Sequence, residues 1–112
     1  VPRIQRLIVL LEKASKKSKA SLWKRIAEFL KKPRRKRIEV NLFKVNKYAR
    51  EGETIIVPGK LLSEGRLEKK ILLSAINFSQ AALKKASENA QVVSIEELVE
   101  KNPSGKGVRI II

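Results

Sequence analysis

The chemistry open to this chain is set by its cations. Residues 31 to 42 read KKPRRKRIEVNL, and Lys31, Lys32, Arg34, Arg35, Lys36 and Arg37 put six positive charges into seven positions, broken only by Pro33. Such a run does no bond-making chemistry alone, but it suits phosphate oxygens: arginine presents a planar fork and lysine a mobile point charge. Taken alone it fits a solvated tail, a nuclear-import tag, a membrane-surface patch or a grip on nucleic acid. A solvated face would mix in acids, and the basic run contains none. The rest of the chain has to decide among these readings.

The remaining composition narrows the classes further. Net charge is +15 and the sequence pI is about 10.5, a self-repulsion that a polyanion would relieve. Residues 1–50 hold 17 Lys/Arg and 3 Glu, whereas residues 51–112 hold 9 and 8, so a polyanion's footprint is expected mostly in the first half. There is no His, Cys or Asp, and all 11 acids are Glu. Neutral-pH catalysis draws on His, metal ligands or clustered carboxylates, and none is assembled. A serine with a lysine base has no supporting motif. The chain therefore reads as no enzyme, with no cofactor, no metal and no small-molecule substrate. No apolar run approaches a membrane span and no signal-peptide core follows the N-terminus, which implies a cytoplasmic protein with no membrane partner.

These cations need elements to hold them. Ile4, Leu7, Ile8, Leu11 and Ala14 recur at helical spacing, and a basic, flexible break SKKSK is expected next. A second helix then reads LWKRIAEFLKK, with Ser21 as its N-cap, Leu22, Ile26, Phe29 and Leu30 on one face, and Pro33 as its stop. An extended segment leads to Asn41, expected to cap a short helix with Leu42, Val45 and Tyr48 inward and Lys44 and Lys47 outward. Thr54 to Val57 reads as a strand closed by a Pro58-Gly59 turn, with Lys60 just beyond. ILLSAINF suits a strand buried from both sides. Ser79 caps a helix, QVVSI is a strand, Ser94 and Glu97 form a capping box, and GVRIII ends the chain as a strand. The fold class is α/β: a compact module of short alternating strands and helices, preceded by two basic N-terminal helices and a basic linker. Residues 1–112 form a single domain, divided into a basic helical and linker region at 1–38 and an α/β module at 39–112.

The segment LKKPRRKRIEVNLFKV resembles the signature of the large-subunit ribosomal protein eighteen-e family of archaea and eukaryotes. Leu30, Pro33, Arg34, Arg35, Arg37, the triplet Val40-Asn41-Leu42 and Lys44 carry the likeness. It continues through ETIIVPGKLLSEGRL, LSAINFSQAALKKA, VSIEELVEKNP and GVRIII, and so spans nearly the whole chain. The resemblance implies a structural component of the large ribosomal subunit that binds large-subunit ribosomal RNA beside neighbouring large-subunit proteins. It also implies kinship with the C-terminal part of bacterial large-subunit protein fifteen, an irregular β-β-α superhelical fold and an archaeal source, since eukaryotic members are longer.

On that basis Lys31, Lys32, Arg34, Arg35, Lys36 and Arg37 are expected to meet RNA phosphates. Lys16, Lys17 and Lys19 join them from the basic break, Lys24 and Arg25 from the polar side of the second helix, and Lys44 and Lys60 from farther along. Trp23 and Tyr48 are read as packing residues rather than base-stacking ones. The alternative is a DNA-binding regulator using the first two helices, although its second helix lacks an obvious set of base-reading side chains.

Overall fold

Successive residues of a strand point to opposite faces, so the run Ile55-Ile56-Val57 requires cover on both sides of its sheet. The computed structural model describes residues 3–32 and 38–112, and all three side chains are fully buried in it. In chain order the elements are α1 (Arg3–Ser18), α2 (Ser21–Leu30), β1 (Ile38–Asn41), α3 (Leu42–Tyr48) and β2 (Thr54–Leu62). There follow β3 (Leu72–Phe78), α4 (Gln80–Ser87), β4 (Gln91–Val93), α5 (Ile95–Lys101) and β5 (Val108–Ile110). The α/β class and the order of elements agree with the sequence reading.

Every pairing among these strands is parallel. The strands β1, β2, β3 and β4 lie side by side in that order, and β5 returns to β2. Strand β1 pairs with Gly59–Leu62 and β5 with Thr54–Ile56, so the two lie end to end along one edge of β2. Its other edge belongs to β3. Residues 63–71 make the crossover from β2 to β3 without a helix, and Leu67 and Ile71 plug it into the core.

Helices cover both faces. On one, Ile55, Val57, Leu61 and Leu73 pack with Leu42 and Val45 of α3 and Ala82 and Ala86 of α4. On the other, Ile56, Ile76 and Val93 pack with Leu7 and Leu11 of α1, Trp23, Ile26 and Leu30 of α2, and Ile95 and Leu98 of α5. Each large side chain fully buried in this way contributes roughly 1.5–3 kcal/mol. Trp23 is fully enclosed and its indole N–H donates to the Pro103 carbonyl at 2.7 Å, so it packs and does not stack on a base.

Several local expectations are corrected. Helix α1 runs through the supposed flexible break to Ser18, because Ser and Lys have neither proline's missing donor nor glycine's backbone freedom. Only Lys19 and Ala20 separate it from α2. Ala20, packed in the core, holds the N-cap position of α2 in place of Ser21. The Asn41 side chain accepts from the Glu64 N–H at 3.3 Å and makes no cap bond to α3. Tyr48 is 47% exposed instead of inward. Ser79 and Ser94 do cap, accepting from Ala82 N and Glu97 N at 3.1 Å each. The Glu97 carboxylate meets Lys101 at 3.0 Å.

Pro58-Gly59 is not a turn. Strand β2 passes through it, and the pairing to β3 shifts register between Val57 and Lys60. One extra residue on β2 makes a bulge there, which tolerates a proline with no N–H to donate. Gly59 is needed because β1 comes close: a Cβ there would lie 2.1 Å from the Ile38 carbonyl oxygen. Gly59→Ala is therefore expected to cost about 2–4 kcal/mol by forcing β1 off the sheet. Gly52→Ala, with positive φ but open space around it, should cost only about 1 kcal/mol. Chemical denaturation of both variants checks the order.

Candidate nucleic-acid interface

An amphipathic helix pair displays whatever its inner face does not bury. Leu7, Leu11, Trp23, Ile26, Ala27 and Leu30 fix α1 and α2 to the sheet, and Lys31 Nζ of the returning α2 meets Glu12 Oε2 at 3.0 Å. This leaves Lys16 and Lys17 exposed in the last turn of α1, where they complement the negative end of the helix dipole. Lys24 and Arg25 are exposed on α2, one turn beyond the link. Lys31 and Lys32 close α2, with Lys32 Nζ 5.0 Å from the Phe29 ring centroid.

Lys19 sits in the link itself with φ +54°, a left-handed conformation that a lysine adopts only at a cost. Glycine or asparagine is the usual residue after a helix end. A cation therefore stands where the backbone would favour a different residue.

The structure does not bring all the sequence-derived candidates onto one face. Lys16, Lys17, Lys19, Lys24 and Arg25 cluster around the α1–α2 link, and Lys31 and Lys32 lie at the far end of α2. Lys44 is half-buried on α3, across the sheet from α1 and α2. Lys60 is exposed on β2 past the bulge, in register with Glu39 and Asn77. Arg34, Arg35, Lys36 and Arg37, with Pro33, lie outside the described residues.

Several acids are committed to internal contacts. Glu51 Oε1 accepts from the Lys70 N–H at 2.7 Å, and Glu53 accepts from the Arg50 N–H and pairs with Arg109 at 3.2 Å. Glu96 faces Arg3 at 3.7 Å. Among the described residues no cluster of His, Cys, Asp or Glu could hold a metal ion, and no helix is long and apolar enough to cross a membrane.

No family model matches the chain. It is, however, 46% identical over 111 residues to the large ribosomal subunit protein eL18 of Methanoregula boonei, with 98% of this chain and 92% of the relative covered. The protein of the same name from Pyrobaculum aerophilum is also 46% identical over 111 residues, with 98% and 91% covered. That of Haloarcula marismortui is 43% identical over 110 residues, with 98% and 95% covered.

The chain belongs to the large ribosomal subunit protein eL18 family. This agrees with the resemblance carried by the basic segment and its neighbours, and the DNA-regulator alternative gains no support from it. In this eL18 family member two residues take places that local sequence pattern does not signal as functional. Arg3 lies off the apolar spacing of the first helix and its sequence gives no sign of a partner, yet its guanidinium donates to the Ile76 carbonyl at 2.5 Å and reaches Asn77, which fixes the start of α1 over the strand ends. Phe43 is 52% exposed on α3, and its signal in the sequence is an aromatic that stands off the apolar stripe.

Lys19 provides a test in the free protein. Lys19→Gly is expected to raise stability by about 0.5–1 kcal/mol by relieving the left-handed backbone, which thermal melting would read directly.

Proposed function

We propose that the chain binds and clamps large-subunit ribosomal RNA by neutralising phosphates, with cations held on a folded scaffold displacing the counterions condensed on RNA. As a member of the eL18 family it is a structural component of the large subunit of the cytoplasmic ribosome and not an enzyme. The RNA contacts proposed are Lys16, Lys17, Lys19, Lys24, Arg25, Lys31, Lys32, Arg34, Arg35, Lys36, Arg37, Lys44 and Lys60, and neighbouring large-subunit proteins are its other partners. It acts as one folded unit, because α1 and α2 share a core with the sheet they accompany.

The observation that carries this reading is the arrangement of the α1–α2 pair. Leu7, Leu11, Trp23, Ile26, Ala27 and Leu30 of its apolar face are buried against the sheet and α5, while its outer surface presents Lys16, Lys17, Lys24 and Arg25 exposed to solvent. Beyond the small dipole contribution of Lys16 and Lys17, exposed like charges add little to the free fold and repel one another. Lys19 adds a positive charge at a strained position, which accords with selection for something other than stability. Specificity would come from RNA shape, since the cations include no base-reading set.

If about 8 to 12 cations meet phosphates, the slope of log K against log salt for a large-subunit RNA fragment should be about −6 to −10. Changing Lys16, Lys17, Lys24 and Arg25 together to Gln should flatten it by about 3 to 4 while leaving stability within about 0.5 kcal/mol. A slope near zero for the unaltered chain would reject the clamp.

Arginine geometry gives a second expectation. Changing Arg34, Arg35 and Arg37 to Gln should weaken RNA binding by about 2–5 kcal/mol, and Lys at the same positions should lose less because the charge remains without the fork. Titrations of both variants at one salt concentration check the difference.

A further inference from the structure

Helix α3 buries one side and leaves an unusual set of residues on the other. At about 100° per residue, Leu42, Val45 and Ala49 share one side, and all three are buried in the core. Phe43, Lys47, Lys44 and Tyr48 follow one another around the opposite side, within a sector of about 140°. The two aromatics stand at its edges and the two lysines between them. Phe43 is 52% exposed and Tyr48 47% exposed, and Lys47 Nζ lies 5.4 Å from the Tyr48 ring centroid. No acid occurs on this helix.

Phe43 is also held firmly. Its N–H donates to the Glu64 carbonyl at 3.0 Å. Gly65, at φ +92°, comes so close that a Cβ there would lie 2.5 Å from the Phe43 Cβ. The loop that carries Glu64 and Gly65 is tied to α4 by Lys85, which donates to the Ser63 carbonyl at 2.9 Å. The exposed ring thus projects from a braced backbone. Exposed apolar rings cost solubility, and a chain with few aromatics places two of them outward on one short basic helix.

We propose that the outer face of α3 is a stacking platform for unpaired bases of RNA, with Phe43 and Tyr48 taking base faces while Lys44 and Lys47 hold the intervening phosphates. This rests on the RNA-clamp reading and adds a different recognition mode on the opposite side of the sheet from α1 and α2. Every base has a π face, so stacking accepts any sequence but demands single-stranded RNA, which paired RNA does not offer. A platform with lysines between rings fits a nucleotide strand, whose bases and phosphates alternate.

The test uses the full chain with two probes: an oligoadenylate carrying a central 2-aminopurine, and a fully paired RNA hairpin with the same number of phosphates. The unaltered chain is expected to quench 2-aminopurine on binding. Phe43→Ala with Tyr48→Ala should abolish the quench and weaken oligoadenylate binding about 10- to 100-fold, while hairpin affinity changes less than about twofold. Phe43→Leu with Tyr48→Leu keeps apolar bulk without a π face and should behave like the alanine pair, whereas Phe43→Trp with Tyr48→Phe should retain the quench. Normal oligoadenylate binding by the alanine pair overturns the platform, as does equal loss on both probes. Retention of the quench by the leucine pair also overturns it, and would assign the face to contact with a protein. If the hairpin binds with no salt dependence while the oligoadenylate keeps a shallow slope of about −1 to −2 and its quench, the clamp falls instead and the platform stands without it.

Discussion

Strand β2 carries the constraint on which the rest of the molecule depends. It accepts β3 along one edge and both β1 and β5 along the other, so chain segments from residue 38 to residue 110 converge on it. Parallel pairing requires a crossover between neighbours, and the crossovers place material on both faces. Ile55 and Val57 point to one core and Ile56 to the other, which couples the two cores through a single backbone. The bulge at Pro58-Gly59 lets this strand bend and lets β1 approach where a side chain would collide.

Because α1 and α2 cover one face together with α5, these two basic helices are part of the fold and not an appendage to it. Hydrophobic contacts of Leu7, Leu11, Trp23, Ile26 and Leu30 set the direction in which Lys16, Lys17, Lys24 and Arg25 point. Burial holds the helices while their outer charges repel, and the fold tolerates that repulsion because the cations are exposed and screened by salt. The acids are used differently. Glu51, Glu53 and Glu96 bind backbone N–H groups or arginines of the chain itself, and Glu12 pairs with Lys31, whereas Lys16, Lys17, Lys24 and Arg25 are left to solvent.

This division gives the proposed function its physical form. Phosphate contacts are nonspecific individually and gain selectivity from spacing. Cations spread over helices docked on a shared sheet have fixed spacing, and ordering them on binding costs less conformational entropy than ordering a free tail. The aromatic face of α3 adds a contact that charge alone does not supply, directed at bases rather than at the backbone.

Much of this was legible in the sequence because it depends on local chemistry. Periodicity gave α1 and α2, an apolar run gave β3, Ser79 and Ser94 announced their helices, and the acid-free run at 31–37 pointed to phosphate. The family likeness rests on the same linear order of residues. What tertiary structure decided was whatever depends on a neighbour distant in sequence. Pro58-Gly59 has the composition of a turn, yet pairing with β1 and β3 draws it into a strand. Lys16 and Lys17 read as a break, yet nothing in them stops a helix, and packing of Leu7 and Leu11 carries α1 past them. Tyr48 has an apolar body that composition would bury, but the inward arc of α3 is already filled by Leu42, Val45 and Ala49, so its ring faces out. A sequence states which residues can pack or bind; which side each one faces is fixed only when the elements compete for the same core.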